Sequence, residues 1–249
     1  MSNDADAIAD IQENLSLNKI RINNNQSKQS ISDSQLEEAF TKTNQFLDNY
    51  KGRVSGAFAN RFGRASAKGN NQNLPIPRAL DHVQASGEIK TAEDILDGAT
   101  PLGNNVQMRG LSEVVRTQKN PDFLATMLDN STRLVEVKTP TGKPGKITSN
   151  LNKAIDQITG SPFRSQVSDK AYIRVDYTNA KPVTGDENFL FDKIKMGLLN
   201  DEINGQPITP GTQLVEFVEL LYKDARNGNQ VTQILVRVEN GIPKIFRGN

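Results

Sequence analysis

The chain has 249 residues, a formal net charge of +1, a single histidine and no cysteine. This length suits one large domain or two smaller ones, and 35% hydrophobic with 24% charged residues is typical of a globular protein. Without cysteine there are no disulfides and no thiolate metal sites, and His82 alone cannot form a histidine-rich zinc site. Any bound metal is therefore expected to be a hard cation held by oxygen atoms.

Neither a membrane span nor a signal peptide is predicted. The sequence contains no long apolar run, and residues 1–20 lack a basic segment followed by an apolar one. If the protein is exported, we expect a larger upstream polypeptide or a dedicated secretion system to carry it.

Residues 1–80 are predicted to form a polar, mostly helical and partly flexible region. Asn23–Gln26 and Asn70–Asn73 are low-complexity connectors, and between them Ser34 and Glu37 form a capping-box pattern at the start of a helix that runs to about Tyr50. This region is either a translocation or entry module or only a tail.

A basic stretch lies at the end of this region. It predicts either contact with a nucleic acid or a solvated linker. Its basic residues, with no acidic residue between them, are Lys51, Arg53, Arg61, Arg64, Lys68 and Arg78.

Residues 81–249 alternate helical and strand patterns and are predicted to form a second domain of the α/β class, a mixed sheet flanked by helices. Residues 110–115 fit a strand or a helix equally. The predicted helices are Ala92–Leu96 with Thr91 as cap, Asn150–Ile158, Phe189–Leu199 and Thr212–Tyr222. The predicted strands are Asp122–Ala125, Leu134–Val137, Ala171–Tyr177, Ile234–Val238 and, after the turn Asn240-Gly241, Pro243–Phe246.

The pattern with the clearest chemistry is Pro121-Asp122 followed by Glu136-Val137-Lys138. Strand alternation places Glu136 and Lys138 on one face. A hairpin through the turn at 128–131 would set Asp122 opposite Glu136, so that both carboxylates reach one divalent cation. The alternative is that Glu136 and Lys138 are solvated on an edge strand and Asp122 is a turn residue.

This pattern resembles the PD-(D/E)xK nuclease superfamily. The segment Arg133–Pro140, followed by a helix with Lys153 and Gln157, is most similar to the C-terminal toxin domains of contact-dependent growth inhibition and other bacterial polymorphic toxin systems. The resemblance implies a metal-dependent endonuclease, with Mg²⁺ or Mn²⁺ bound by Asp122, Glu136 and the carbonyl of Val137. Lys138 would position or deprotonate the attacking water.

The resemblance also implies a further acid on a helix before the motif strands. Glu93 is the first candidate for this catalytic residue and Glu113 the second. Candidates for substrate binding follow the motif or lie on the next helix, where amines and polar groups could hold phosphates or a base. They are Thr139, Lys143, Lys146, Lys153 and Gln157.

Three functions follow from this sequence. The first is a nuclease toxin that is delivered from its producer, cuts RNA (tRNA in particular) or DNA in the cytoplasm of a target bacterium, and is neutralised by a cognate immunity protein. The second is a DNA endonuclease of restriction, repair or phage type. The third is a non-catalytic protein that binds nucleic acid through the basic stretch.

Overall fold

The computed structural model describes residues 41–42, 45–46, 48–56, 79–111, 121–140, 146–203 and 205–247. The described helices are α1 (Ala79–Leu96), α2 (Ile147–Thr159), α3 (Glu187–Leu199) and the short α4 (Gly211–Leu214). The described strands are β1 (Val54–Gly56), β2 (Gln107–Gly110), β3 (Phe123–Thr126), β4 (Thr132–Lys138), β5 (Ala171–Asp176), β6 (Glu202–Ile203), β7 (Gln206–Pro207), β8 (Val215–Asp224), β9 (Gln230–Glu239) and β10 (Ile242–Ile245).

One large mixed sheet organises the described residues. Its strand order is β1-β2-β3-β4-β5-β8-β9-β10, while β6 and β7 form a separate small hairpin. Strands β4, β5 and β8 run parallel at the centre, and antiparallel pairs join β2 to β3, β3 to β4, β8 to β9 and β9 to β10. The predicted fold class, a mixed sheet flanked by helices, is confirmed.

Each face of the sheet has its own apolar core. On one face α1 packs through residues such as Ile95 against Val135 and Val137 of β4. On the other face α2 and α3 cover Ile173 and Val175 of β5. Central strands such as β5 are buried on both faces, and in β5 this burial includes the charged residues Arg174 and Asp176.

The predicted helix Thr212–Tyr222 is wrong beyond its first turn. The helix α4 ends at Leu214, and the residues from Val215 to Asp224 form β8. An apolar run of this kind fits a buried helix and a buried strand equally by spacing. Residues 215–224 form a strand because β8 pairs with β5 on one side and with β9 on the other.

Helix α1 starts upstream of its predicted cap. Thr91 lies inside the helix, fully buried, and its hydroxyl donates to the carbonyl of Gly87 at 2.8 Å. The predicted end before Gly98 is confirmed, because Gly98 has a left-handed φ of 76° and stops the helix.

Part of the first eighty residues belongs to the same sheet and core. Phe46 is fully buried in the core under α1, and β1 pairs in parallel with β2. The predicted boundary at residue 80 therefore does not separate these segments from the sheet. Arg53 donates to the carbonyls of Leu96 at 2.7 Å and Val106 at 3.2 Å, so this residue of the basic stretch has a structural role.

The rest of the basic stretch lies outside the described residues, except for the exposed Lys51. The capping-box residues Ser34 and Glu37 and both polar connectors also lie outside them. None of the described helices is long and apolar enough to cross a membrane.

Candidate active site

The hairpin of β3 and β4 brings Asp122 next to Glu136. In this antiparallel pair Phe123 is opposite Val135, so the next pair outward is Asp122 and Glu136. The backbone N–H of Val137 donates to Oδ2 of Asp122 at 2.7 Å, which fixes the Asp122 carboxylate against the end of β4.

The turn that joins these strands is stable for local reasons. Asn130 adopts a left-handed φ of 63°, a conformation that asparagine tolerates better than most residues. The side chain of Asp129 accepts from the N–H of Ser131 at 2.9 Å. The polar turn that the sequence predicts therefore sets the strand register in which Asp122 lies opposite Glu136.

Lys138 joins Glu136 to helix α2. Its ammonium group donates to Oε1 of Glu136 and to the side-chain oxygen of Gln157. Val135 and Val137 point to the opposite face and are buried there. The alternation along β4 therefore places Glu136 and Lys138 together, and α2 supplies Gln157 from above.

Glu136 is an unusual carboxylate. Its side chain is 0% exposed, and its Oε2 atom is buried without a hydrogen-bond partner in the described structure. Burial raises the pKa of Glu136 well above its ordinary value, the carboxylate of Asp122 raises it further, and Lys138 acts in the opposite direction. A buried acceptor with an open position is costly unless it binds something.

Lys138 is held in its charged form. Burial lowers the pKa of Lys138, but the carboxylates of Glu136 and Asp122 outweigh burial and the net pKa is raised. Of the two roles predicted for Lys138, this arrangement favours positioning over deprotonation, since a charged ammonium group donates hydrogen bonds and does not accept a proton.

Helix α1 brings one carboxylate, Glu88, within electrostatic reach of Glu136 and Lys138. The carboxylate of Glu88 contributes to raising the pKa of both Glu136 and Lys138, which places it within electrostatic reach of the site. Its neighbour Gly87 packs directly on the end of β4, where a Cβ atom would overlap the methyl group of Thr139. This close approach requires glycine.

The structure does not bring Glu93 to the site. Five helical residues turn the chain by about 140° net, so Glu93 projects well away from the direction of Glu88. Burial raises the pKa of Glu93, and the neighbours that also affect it include Asp94, Asp97 and Lys90 rather than any of the site residues. Glu113 lies outside the described residues.

Helical spacing aligns Glu88 with a buried stripe of α1. Glu88 is three, four and seven residues before Thr91, Ala92 and Ile95, which are all fully buried. A carboxylate in the middle of a buried helical stripe needs a reason. The predicted helix started at Thr91, and this start hid the pattern.

A cleft of about 360 Å³ opens beside Lys138 between the end of β4 and one side of α2. Three of the predicted substrate-binding residues, Thr139, Lys153 and Gln157, line it. Lys146 is exposed just before α2 and is not among the described lining residues, and Lys143 lies outside the described part of the chain. The full described lining is Lys138, Thr139, Pro140, Asn150, Lys153, Asp156 and Gln157.

Besides Pro140, two cleft residues on α2 were not predicted from the sequence. Asn150 and Asp156 lie on the same side of α2 as Lys153 and Gln157, and the amide of Asn150 donates to the hydroxyl of Tyr177 at 2.7 Å. Helical spacing from Lys153 was enough to find both, because residues three apart share a helix face.

The site fits a hard cation by its chemistry. Two opposed carboxylates, one of them with an unpartnered buried oxygen, are the ligand type that Mg²⁺ and Mn²⁺ prefer. The backbone contact of Val137 with Asp122 in this structure is made by its N–H, which donates to the Asp122 carboxylate. Within the described ranges no three acidic or histidine side chains already form a closed metal cluster.

Comparison with known proteins identifies no relative. No protein-family model matches the chain. The searches of curated proteins and of solved structures also found no match. The function is therefore inferred from the side chains of this chain.

Proposed function

We propose that the protein is a metal-dependent endonuclease that acts as a toxin. The observation that carries this proposal is the buried carboxylate of Glu136, which has one unpartnered oxygen and stands between Asp122 and Lys138. Such a group is expensive to keep in an apo protein and is typical of a site built for a cation and a charged substrate.

Each residue has a role in this proposal. Asp122 and Glu136, with the Val137 carbonyl as a third candidate, would hold Mg²⁺ or Mn²⁺. When bound, the ion supplies Lewis-acid stabilisation of the charge that develops on the scissile phosphate. Lys138 donates to the attacking water or to a phosphate oxygen, and Gln157 restrains the Lys138 ammonium by accepting from it.

The neighbouring cleft supports a phosphodiester substrate. Its lysines, Lys138 and Lys153, lie on two different elements, so they can contact an anionic backbone at two points. Thr139 and Asn150 add neutral polar groups beside them. This mixture of amines and amides suits a nucleic acid, either RNA, with tRNA as the first candidate, or DNA.

The biological setting of the proposal comes from the resemblance of the motif to polymorphic toxin domains. In that setting the nuclease is secreted or delivered, acts in the cytoplasm of a target bacterium, and is blocked in its producer by an immunity protein. The same carboxylates and lysine would serve a DNA endonuclease of restriction, repair or phage type, and cleavage of RNA would distinguish the toxin from it.

The test uses the purified full chain with total RNA, purified tRNA and plasmid DNA, each with Mg²⁺ or with chelator. We expect cleavage only with the metal, and a loss of at least about 100-fold for Glu136→Gln and for Lys138→Ala, because each removes several kcal/mol of charge stabilisation or positioning. Glu202→Gln is the matched control, since Glu202 is exposed on the small β6–β7 hairpin.

Each outcome of this cleavage assay supports or contradicts a stated function or the proposed site. Cleavage of RNA by the wild type supports a toxin that targets RNA, and cleavage restricted to DNA fits both a toxin that targets DNA and an endonuclease of restriction, repair or phage type. Cleavage that persists in chelator, or in Glu136→Gln at the level of Glu202→Gln, contradicts the proposed site. Absence of cleavage with every substrate and both ions contradicts the nuclease proposal.

A further inference from the structure

Asn150 differs from the other residues that line the cleft, because a buried side chain holds it in one orientation. Its Nδ2 atom donates to the hydroxyl of Tyr177 at 2.7 Å. The Tyr177 side chain is 0% exposed and belongs to the apolar core that α2 covers. Asn150 itself is half-buried and lines the cleft. Its side chain therefore connects the core to the cleft.

Tyr177 is a firm anchor for this amide. Its backbone N–H donates to the carbonyl of Leu221 at 2.8 Å, and its carbonyl accepts from the N–H of Ala180 at 2.9 Å. Burial raises the pKa of Tyr177 to about 12, although the hydrogen bond from Asn150 acts in the opposite direction, so the phenol stays neutral at pH 7. The hydroxyl can therefore accept from the amide at a fixed point.

The orientation of the amide decides what Asn150 offers a ligand. An asparagine side chain carries its donors on Nδ2 and its acceptor lone pairs on Oδ1. Nδ2 is bonded to Tyr177 in the core. Within the described part of the chain no group donates to Oδ1 of Asn150, and this oxygen is accessible to solvent. Asn150 lines the cleft, so the group that it offers there is a hydrogen-bond acceptor.

The neighbouring amines specify the rest of the ligand. Lys138 and Lys153 line the same cleft, and an ammonium group donates hydrogen bonds and accepts none, which suits phosphate oxygens. A sugar–phosphate backbone built on deoxyribose has acceptors and no donor. Ribose adds the 2′-hydroxyl group, which can donate. An acceptor oxygen beside two amines therefore complements a ribose phosphate better than a deoxyribose phosphate.

Asn150 lies away from the candidate metal ligands. Gln157, the α2 residue that contacts Lys138, is seven residues after Asn150. Seven residues are two helical turns, so both side chains project from one side of α2 and are separated by about 10 Å along its axis. A contact at this distance from the reacting phosphate forms equally in the bound substrate and in the transition state. It therefore changes KM more than kcat.

We propose that Asn150, oriented by Tyr177, is a specificity-determining residue that accepts a hydrogen bond from a ribose 2′-hydroxyl and makes the cleft selective for RNA. This inference rests on the proposed nuclease function and narrows its substrate from nucleic acid to RNA. Tyr177 is not among the described lining residues and acts through Asn150, as a positioning residue.

The first measurement is binding by the full chain in chelator, which separates binding from metal-dependent cleavage. The probes are three single-stranded oligonucleotides of one base sequence: RNA, DNA with deoxyuridine in place of thymidine, and 2′-O-methyl RNA, whose 2′ oxygen has no proton to donate. We expect the wild type to bind RNA about 5–10-fold more tightly than the other two, which is the effect of one hydrogen bond. Asn150→Ala should lower this ratio below about 2-fold by weakening the binding of RNA.

Two variants identify the acceptor and a third is the control. Asn150→Asp keeps an acceptor oxygen, so it should keep the preference for RNA while its negative charge weakens the binding of all three probes. Tyr177→Phe removes only the hydroxyl and should move the ratio towards that of Asn150→Ala, because the amide is no longer oriented. If Asn150→Ala does not fold, Tyr177→Phe supplies the same comparison. Asn188→Ala, at an exposed asparagine on α3, should keep the wild-type ratio.

The second measurement is the steady-state rate of RNA cleavage in Mg²⁺. Asn150→Ala should raise KM for RNA about 5–10-fold and change kcat less than about 2-fold. A loss in kcat with KM unchanged would contradict a contact remote from the reacting phosphate.

The binding results separate this inference from the nuclease proposal. Wild-type protein that binds the three probes equally would overturn the inference. Asn150→Ala that weakens RNA and DNA binding by the same factor would also overturn it, because the residue would then contact a base or a phosphate. RNA selectivity that depends on Asn150, in a protein that does not cleave in Mg²⁺, would support the inference and contradict the nuclease.

Discussion

Replacement of Glu136 by glutamine should remove activity and should make the protein gain stability relative to the wild type as the pH rises from 4 to 8. The wild-type side chain is 0% exposed and leaves Oε2 without a hydrogen bond. A buried polar atom without a partner costs about 1–3 kcal/mol, and more when it is charged. Glutamine has nearly the same shape but cannot ionise, so Glu136→Gln avoids the cost of charging this buried group and should gain about 1–3 kcal/mol on the wild type between pH 4 and pH 8.

The difference in stability between Glu136→Gln and the wild type should change with pH in a defined direction. The pKa of Glu136 is raised in the folded protein above its ordinary value of 4.5, chiefly by burial and then by Asp122. The folded state therefore holds this proton more tightly than the unfolded state. The stability that this proton contributes is fully present below about pH 4.5 and is lost as the pH rises through the folded pKa.

In the wild type, Lys138 does not contribute to the pH dependence of stability in this range. Its pKa is raised in the folded state, because the carboxylates of Glu136 and Asp122 outweigh the opposing effect of burial. Its contribution is present below its ordinary value of 10.5 and is lost only at higher pH. In the wild type Lys138 therefore contributes no pH dependence of stability between pH 4 and pH 8.

The assay is thermal unfolding from pH 4 to pH 8 in the presence of chelator. For a chain of this length 1 kcal/mol corresponds to about 2–4 °C in Tm, so the difference between Glu136→Gln and wild type should open by roughly 2–12 °C as the pH rises. Glu202→Gln should follow the wild type throughout, because Glu202 is exposed. A difference that stays flat, or narrows towards pH 8, would refute the assignment of Glu136 as a strained buried carboxylate.

Three further results are expected from the same geometry. Glu88→Gln should lower cleavage about 10-fold or more, and Glu93→Gln should lower it far less in the same assay; equal losses would contradict the choice of Glu88. Gly87→Ala should cost about 1–3 kcal/mol in urea unfolding through overlap with the Thr139 methyl group, and adding Thr139→Ser, which removes that methyl group, should recover most of the loss. Mg²⁺ at 100 times its dissociation constant should stabilise the wild type by about 2.7 kcal/mol in thermal unfolding but not Glu136→Gln, and an equal shift in both would place the ion elsewhere.

The local part of the site could be predicted because it depends on short-range rules. Strand alternation puts Glu136 and Lys138 on one face, and a turn of polar residues around Asn130 sets the register that opposes Asp122 to Glu136. Both are properties of residues close in sequence. Helix α2 and its cleft-lining residue Gln157 followed from periodicity in the same way.

The helix acid could not be identified from local rules. The choice of Glu93 depended on where the helix begins, and the sequence pattern placed a cap at Thr91, which is instead buried in the helix interior. Which carboxylate faces the site depends on the rotation of α1. Long-range contacts hold α1 against the sheet, among them Gly87 with Thr139 and Asp94 with Arg174.

The sequence by itself determined the class of fold, the carboxylate pair and its lysine, since alternation, turn chemistry and helical spacing act within about ten residues. Only the tertiary structure decided that β8 is a strand, because an apolar run becomes strand or helix according to the partners available on each side. It also decided that Glu88, and not Glu93, is the α1 carboxylate within electrostatic reach of Glu136 and Lys138. Such choices depend on how distant elements pack, and no short window of sequence contains that information.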